Sequence, residues 1–326
     1  MNAKPQLELS AREAQLRRAL FRGEQLHMGD DHYRAVAAAV LDPLLFSDAG
    51  CGDLTAEALG LTEGRAKAQV LAKESGIAAG LEEFEWLLTR GDLAVKALKR
   101  DGEKMDRGDV LAEIDGGRGG LLSCERTGLN LLQRMSGIAT MTHRLQERAQ
   151  RRNAKTSVVS TRKTPWGLLD KRAVHLGGGG THRLDLSDAI LIKNNHLALL
   201  AACEEDAVGA AIEKAWACRE GAAFIEVEVR SLEAAAAAAR TFRRLREGDS
   251  SACPSLLLLD NMSPAQARET LDVLRSERLL DDVLVEISGA ISESNFDEYA
   301  ACGADALSMG ALTHSPRALD LSLRIS

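Results

Sequence analysis

FIEVEVRSLEAAAAAARTFRRLREGDSSACPSLLLLDNMSPAQARETLDVLRSERLLDDVLVEISG, residues Phe224–Gly289, alternates apolar runs of strand length with polar stretches of helical length. The apolar runs are Phe224–Val229, Leu256–Leu259 and Val283–Ile287. Between them, Ser231 can cap the alanine-rich run that follows, and Ser263 with Pro264 supplies a cap and a first-turn proline. Alternation at a spacing of roughly 25–35 residues predicts parallel strands joined by right-handed crossovers.

The same texture extends in both directions. Ser157–Ser160 and Ala189–Ile192 read as strands upstream, and Ala304–Met309 reads as one downstream. Ser292 or Ser294 opens the last intervening helix, which stops at Gly303. Each run delivers a chemically useful residue: Arg162 and Lys163, Lys193, Glu228, Asp260, Ser288, then Gly310. In a barrel such strand ends meet around one mouth, whereas an open sheet gathers ligands at a switch point. The expectation is an α/β fold with an incomplete α/β barrel of six or seven strands. Earlier in the chain, Asp42–Ile114 is mixed in character. It holds a glycine-broken turn at Asp48–Thr55 and short strands at Ala68–Ala72 and Val110–Ile114. Gly116–Gly120 reads as a loop. Leu121–Gln150 reads as a long helix, with Leu129, Leu132, Met135 and Ile138 at helical spacing.

With 326 residues, 45% hydrophobic and 27% charged, the chain can bury a core without staples. A formal net charge of −7 argues against nucleic acid or an anionic membrane as a bulk partner. Six cysteines (51, 124, 203, 218, 253, 302) lack C-x-x-C pairing or a histidine at ligand spacing, which predicts reduced thiols and no zinc site. No apolar run reaches the roughly 18 residues of a span, and the first residues lack a signal-peptide core. The expectation is a soluble, cytoplasmic protein.

An acidic chain that binds an anion must do so with a local cluster. Arg126, Arg162, Lys163, His182, Arg183 and Lys193 supply one, since arginine forks match carboxylates and phosphates while lysine acts as a point charge. Any one of these could be an ordinary surface cation; Lys193, boxed in ILIKNNH behind an apolar strand, is the hardest to dismiss. Near strand ends sit the acids Glu228 and Asp260, suited to a divalent ion or sugar hydroxyls, or to a buried ion pair. Alternation puts Glu226 and Glu228 on one face, so pattern alone does not choose between them. The turns SGA (Ser288–Ala290) and MGA (Met309–Ala311) offer backbone N–H groups to a phosphate. Gly177–Gly180 reads as a flexible loop that lets His182 and Arg183 reach the pocket. Walker, dinucleotide, zincin and nucleophile-elbow motifs are absent.

Eight collinear blocks resemble quinolinate phosphoribosyltransferase, the carboxylating nicotinate-nucleotide diphosphorylase of NAD synthesis. They are ERTGLNLLQRMSGIAT (Glu125–Thr140), TRKT (Thr161–Thr164), GGGGTHR, LIKNNH, IEVEV, LLLLDNM, EISGAI and MGALTHS. SDAGCGDLT resembles an early turn of that family, and the match has a short insertion near Arg243–Pro254. The resemblance implies a mixed α/β N-terminal domain over residues 1–126, completed by about 312–326, and a barrel domain over 127–311. It implies a homodimer with shared active sites and leaves further assembly open. Quinolinate would meet Arg126 of the partner subunit together with Arg162, His182, Arg183 and Lys193. Phosphoribosyl pyrophosphate (PRPP) would meet Lys163, Glu228, Asp260, Ser288, Gly289, Ala290, Gly310 and Ala311. Mg2+ would accompany the donor, near Glu228 and Asp260.

Four departures from the family pattern stand out. Asn194 replaces an acidic residue, Trp166 interrupts T-P-G, Arg230 follows IEVEV, and Ala290 replaces a glycine. Three rivals compete with the leading reading: the molybdenum-associated homologue of the same fold, a decarboxylation-free nicotinate transferase, and a non-catalytic metabolite binder. Retention of TRKT, HR and IK together, with both Glu228 and Asp260, favours the quinolinate enzyme.

Overall fold

The computed structural model describes residues 10–200, 204–247, 249 and 253–325. Cys203 and part of the Arg243–Pro254 insertion lie outside them. In chain order the first elements are α1 (Ala11–Leu20), α2 (Asp31–Ala49), α3 (Leu54–Ala58), β1 (Arg65–Ala72), β2 (Gly76–Ile77) and α4 (Leu81–Thr89). Next come β3 (Leu93–Ala97), β4 (Lys104–Met105), β5 (Val110–Gly117), α5 (Arg118–Arg152), β6 (Ser157–Val159) and α6 (Leu168–Leu176). β7 (Ile190–Ile192), α7 (Asn194–Ala198), α8 (Glu204–Ala217), β8 (Ile225–Val229), α9 (Leu232–Glu247) and β9 (Ser255–Asp260) follow. The chain ends with α10 (Pro264–Ser276), β10 (Leu284–Ser288), α11 (Phe296–Ala300), β11 (Ala306–Ser308), α12 (Ala311–His314) and β12 (Leu321–Ile325).

Two compact units share these elements. The parallel unit comprises Met1–Arg22, Gln146–Thr161 and Gly180–Met309. The antiparallel unit comprises Gly23–Leu145, Arg162–Gly179 and Gly310–Ser326.

The parallel unit holds six strands in the order β6-β11-β10-β9-β8-β7. Apart from β6 at its far end, space repeats chain order, as in a ring opened between its first two strands. Gly180 adds an isolated parallel bridge to Val159, a one-residue rudiment of a seventh strand. The architecture is the incomplete α/β barrel expected from the strand ends, with no doubly wound switch point. The helix caps at Ser231 and Ser263 form as expected, the hydroxyls accepting from Ala234 N–H at 3.1 Å and Gln266 N–H at 3.3 Å. The last short helix instead opens at Phe296 behind Asn295, after Ser292 and Ser294 close a turn on themselves. Gly180 is packed, not loose: a Cβ there would lie 2.6 Å from Val159 and 3.0 Å from the Leu20 carbonyl. That corrects the flexible-loop expectation at its final glycine.

Strand starts are closed by α1. Leu16, Ala19 and Leu20 join Val159, Ala189, Phe224, Leu256, Leu284 and Ala306 in one buried cluster. Arg12 anchors the helix, with Nε and Nη2 each donating at 2.6 Å to the Asp305 carboxylate. α1 therefore belongs with the barrel, whereas the sequence boundary gave all of residues 1–126 to the other domain. A helix of 10 residues shows an apolar face but carries no local sign of which core it covers.

In the antiparallel unit the sheet order is β12-β1-β5-β3. Ala72 pairs with Leu321 and Ala68 with Ile325, so the last strand completes a sheet begun some 250 residues earlier. The expected loop at Gly116–Gly120 is the junction where β5 ends and α5 begins directly at Arg118. No helix among the described residues is long and apolar enough to cross a membrane. The five described cysteines are free.

Leu20 is fully buried, so Leu20→Ala should cost about 2–5 kcal/mol in urea unfolding. Exposed Glu13→Ala should stay within about 0.5 kcal/mol. Equal effects would mean that α1 does not seal the barrel.

Candidate functional site

In the parallel unit, five expected positions collect at the carboxyl ends of successive strands. Lys193 follows β7, Glu228 lies in β8, Asp260 ends β9, Ser288 ends β10, and Gly289 follows it. Register places them on one rim: Glu228 pairs with Leu258, and Ser288 pairs with Asp260. Lys193 is exposed, while Glu228 and Asp260 are half-buried. Asn194 ties the rim together: its N–H donates to Glu228 Oε2 at 3.0 Å, and its Nδ2 lies 3.5 Å from Asp260 Oδ2.

Left-handed backbone geometry occurs after two of these strands. Asn261, Gly289 and Ala290 have φ of 56°, 90° and 51°. Gly289 admits no side chain, because a Cβ would lie 2.2 Å from Asn261 Oδ1. Ala290 takes up the left-handed geometry that glycine adopts without cost, and Asn295 Nδ2 holds its carbonyl at 2.9 Å. The SGA turn does not run straight into a helix, since α11 opens only at Phe296.

Beneath the rim lies a buried layer that includes His182, which the family resemblance placed on quinolinate. His182, Glu226 and Glu286 are buried together. His182 has φ 54° and its Nδ1 accepts the Arg183 N–H at 2.8 Å. The ring proton therefore sits on Nε2, 2.9 Å from Glu226 and 3.5 Å from Glu286. Nδ1 is thus engaged within the barrel, and Nε2 faces the two buried carboxyls. A metal ion at Nε2 would put the ring proton on Nδ1, against the Arg183 N–H that points there. Burial pushes Glu226 up to about 8, opposed by Arg183. Burial also pushes Glu286 up to about 8, assisted by Glu226 beside it. Of the two glutamates that alternation could not separate, Glu228 reaches the rim and Glu226 stays below. Glu286 lay in plain view in EISGAI, but one acid in an apolar strand gave no signal of its partners.

Arg183 is buried in the parallel unit, its Nη1 donating to the Ala189 carbonyl at 3.2 Å, and the other expected residues lie in the antiparallel unit. Arg126 is exposed on α5, and Arg162 and Lys163 are exposed after the chain leaves β6. Arg162–Gly167 is held from below by Asp170, which is fully buried. Arg134 Nε and Nη2 grip that carboxylate at 2.8 Å each, and Thr164 Oγ1 donates to it. Arg134 also donates to the Thr313 carbonyl at 2.9 Å, while Thr313 Oγ1 donates to the Lys163 carbonyl at 2.9 Å. Gly310 then gives Lys163 room, since a Cβ would stand 3.2 Å from Lys163 Cδ. Lys163, Gly310 and Ala311 thereby share one neighbourhood. Trp166, a departure in the sequence, lies under the Arg134 guanidinium at 5.1 Å. Sequence reasoning missed Arg134 and Asp170, which are 36 residues apart with only helical context to mark them.

Glu228 and Asp260 are hard oxygen donors of the type Mg2+ takes. Each Asp260 oxygen already accepts a hydrogen bond. Asn261 Nδ2 donates to Oδ1 at 3.0 Å and Arg230 Nε to Oδ2 at 3.1 Å. Asp260 Oδ1 and Glu228 keep lone pairs for an ion, so this donor set fits Mg2+.

Comparison with known proteins finds two matching family models. Residues 53–136 match the quinolinate phosphoribosyl transferase N-terminal domain, and 138–324 match its C-terminal domain. A probable nicotinate-nucleotide pyrophosphorylase [carboxylating] of Methanothermobacter thermautotrophicus is 36% identical over 291 residues, covering 88% of this chain and 98% of that protein. The nicotinate-nucleotide pyrophosphorylase [carboxylating] of Mycobacterium leprae is 38% identical over 262 residues, covering 78% and 84%. The crystal structure of NadC from Streptococcus pyogenes superposes with a TM-score of 0.75 at 34% identity, covering 88% and 95%.

Arg134→Ala strands a buried carboxylate and should cost about 3–5 kcal/mol in chemical unfolding. Arg134→Lys should recover only part, because an ammonium cannot make the two-pronged contact; full recovery would show that charge alone suffices. Glu286 is protonated in the fold up to about 8 but ionises near pH 4.3 when unfolded, so its contribution is complete below that pH and lost as pH rises to 8. Wild type should therefore lose stability relative to Glu286→Gln between about pH 5 and 8. A pH-independent difference would refute this.

Proposed function

Because the chain belongs to the quinolinate phosphoribosyltransferase family, we propose that its strand-end residues divide quinolinate and PRPP between them. The protein transfers the phosphoribosyl group from PRPP to quinolinate with decarboxylation, yielding nicotinate mononucleotide, pyrophosphate and CO2 in NAD biosynthesis. The observation that carries the division of roles is the ordered rim Lys193, Glu228, Asp260, Ser288 on consecutive parallel strands.

Quinolinate carries adjacent carboxylates, whose mutual repulsion calls for several fixed cations. Arg162, Arg183 and Lys193 supply them, joined by the partner subunit's Arg126 across a homodimer interface. His182 shapes this pocket by fixing Arg183 through its own backbone N–H, and its ring stays inside the barrel. Lys163 faces the pyrophosphate, Glu228 and Asp260 face the ribose hydroxyls, and the turns Ser288–Ala290 and Gly310–Ala311 hold the 5′-phosphate. Glu228 and Asp260 would lie beside an Mg2+ ion carried by PRPP, which would shield the charge of the pyrophosphate.

Departure of pyrophosphate leaves an electron-poor ribosyl carbon, which the ring nitrogen of quinolinate attacks. Lys163 stabilises the leaving charge. The pyridinium so formed takes up the electron pair left at C2 when the adjacent carboxylate departs as CO2, and C2 is then protonated. No covalent nucleophile is needed: alignment and charge stabilisation suffice.

Product analysis tests this with purified protein, Mg2+ and PRPP. Nicotinate mononucleotide and CO2 should form from quinolinate and not from nicotinate; turnover of nicotinate alone would point to a decarboxylation-free transferase. The shared-site arrangement has its own check. Inactive Arg126→Ala and Lys163→Ala subunits, mixed and reassembled, should recover up to about a quarter to a half of wild-type activity through one intact site per heterodimer. Verified heterodimers without activity would rule it out.

A further inference from the structure

We propose that the strand-start end of the parallel unit, opposite the rim, holds a second anion site that takes a phosphorylated small molecule and weakens quinolinate binding when filled. The site stands on its own residues; its effect on quinolinate rests on the role given above to Arg183.

A cavity of about 660 Å3 opens there between the end of α1, the turn after α8 and the residues leading into β9. Three arginines line it, Arg18, Arg22 and Arg219, against one acid, the exposed Glu220. Arg22 is paired with Asp188 at 3.0 Å, and Arg219 with Asp249. Arg18 is exposed and has no acidic partner among the described residues. A fourth arginine, Arg246, stands behind Cys253 and donates from Nη2 to its carbonyl at 3.2 Å. The Arg246 Nε is buried with no hydrogen-bond partner among the described residues. Asp282 bears on Arg246, but Arg243 already grips that carboxylate at 2.7 Å.

These charges converge. Arg18, Arg219 and Arg246 all act on the Cys253 thiol in the cavity wall. Burial above all, with Arg18 adding to it, lowers the pKa of Arg246 against the pull of Asp282. Two guanidiniums that repel each other, one of them short of a partner, are relieved by an oxyanion between them. A tetrahedral phosphate accepts several guanidinium forks at once. The cavity exceeds a bare phosphate, and Ala222, Ala223 and Pro254 give an apolar wall for an organic group attached to it.

α1 ends against the segment that carries Arg183. The Leu20 carbonyl accepts the His182 N–H at 3.0 Å, and the Arg22 N–H donates to Thr181 Oγ1 at 3.0 Å. The Arg22 guanidinium holds one Asp188 oxygen, while the other accepts the Leu184 N–H at 2.9 Å. An anion that draws Arg22 toward the cavity releases Asp188, which anchors the residue next to Arg183. Filling the cavity therefore loosens a cation of the quinolinate pocket.

Equilibrium dialysis of the full chain against inorganic phosphate tests the site. Arg18→Glu should weaken one bound phosphate by at least about tenfold, and Arg18→Lys by less. Because Arg18 is exposed, neither change threatens the fold. Calorimetric titration of quinolinate with and without phosphate tests the coupling. Wild type should bind quinolinate about fivefold more weakly in phosphate, and quinolinate should weaken that phosphate by the same factor. Arg18→Glu should keep wild-type quinolinate affinity without phosphate and lose the phosphate effect. Phosphate binding that Arg18→Glu leaves unchanged would overturn the site, and an undiminished phosphate effect in that variant would overturn the coupling. Displacement of this phosphate by succinate at equal concentration would overturn the phosphorylated class in favour of a dicarboxylate. Absence of quinolinate binding in both media would instead remove the role given to Arg183, and the dialysis would still decide the site.

Discussion

The two-pronged contact between Arg134 and the buried Asp170 is the constraint on which the antiparallel unit's part of the chemistry depends. One carboxylate holds Thr164 and the arginine, and the arginine holds the Thr313 carbonyl and stacks on Trp166. Arg162, Lys163, Gly310 and Ala311 are all displayed on segments secured by this contact. A loop bearing adjacent cations repels itself, and a fixed anion beneath it offsets that repulsion without competing for substrate at the surface. Catalysis by alignment tolerates little displacement, so the rigidity of this support matters as much as the lysine it carries.

The parallel unit solves the opposite problem. Its interior holds two carboxyls with one imidazole between them, and burial keeps both acids protonated near neutrality. The cations above are therefore not cancelled from below, which preserves their field for an anionic substrate. The rim adds a second adjustment, since Arg230 and Asn194 occupy the acids on the donor side. Positive potential is thus kept where carboxylates are expected and balanced where a phosphorylated sugar is expected.

Much of this was legible in the sequence, for identifiable reasons. Strands β8, β9 and β10 show as runs because each is buried, and their caps at Ser231 and Ser263 follow from hydroxyl chemistry alone. Lys193, Glu228, Asp260 and Ser288 announce themselves because they terminate such runs. What stayed hidden depends on distance along the chain. Asp170 and Arg134 meet only after folding, and His182 turns inward, with Arg183's N–H on Nδ1 and two remote glutamates facing Nε2. Gly180 illustrates a further limit. A glycine run looks the same whether it serves freedom or close approach, and here Val159 and Leu20 show that its last member serves approach.

The placement of α1 has a consequence for how the molecule is made. Arg12 and its partner Asp305 are separated by 293 positions, and Leu16 and Leu20 share a core with Leu284 and Ala306. On the ribosome, this helix emerges 293 positions ahead of the residue that anchors it. At roughly 5–20 residues per second, its apolar face waits on the order of tens of seconds for the strands that cover it. Such long-range closure slows folding and exposes the nascent chain to wrong partners. The antiparallel sheet waits similarly for β12, so neither unit is complete until nearly the whole chain has been synthesised.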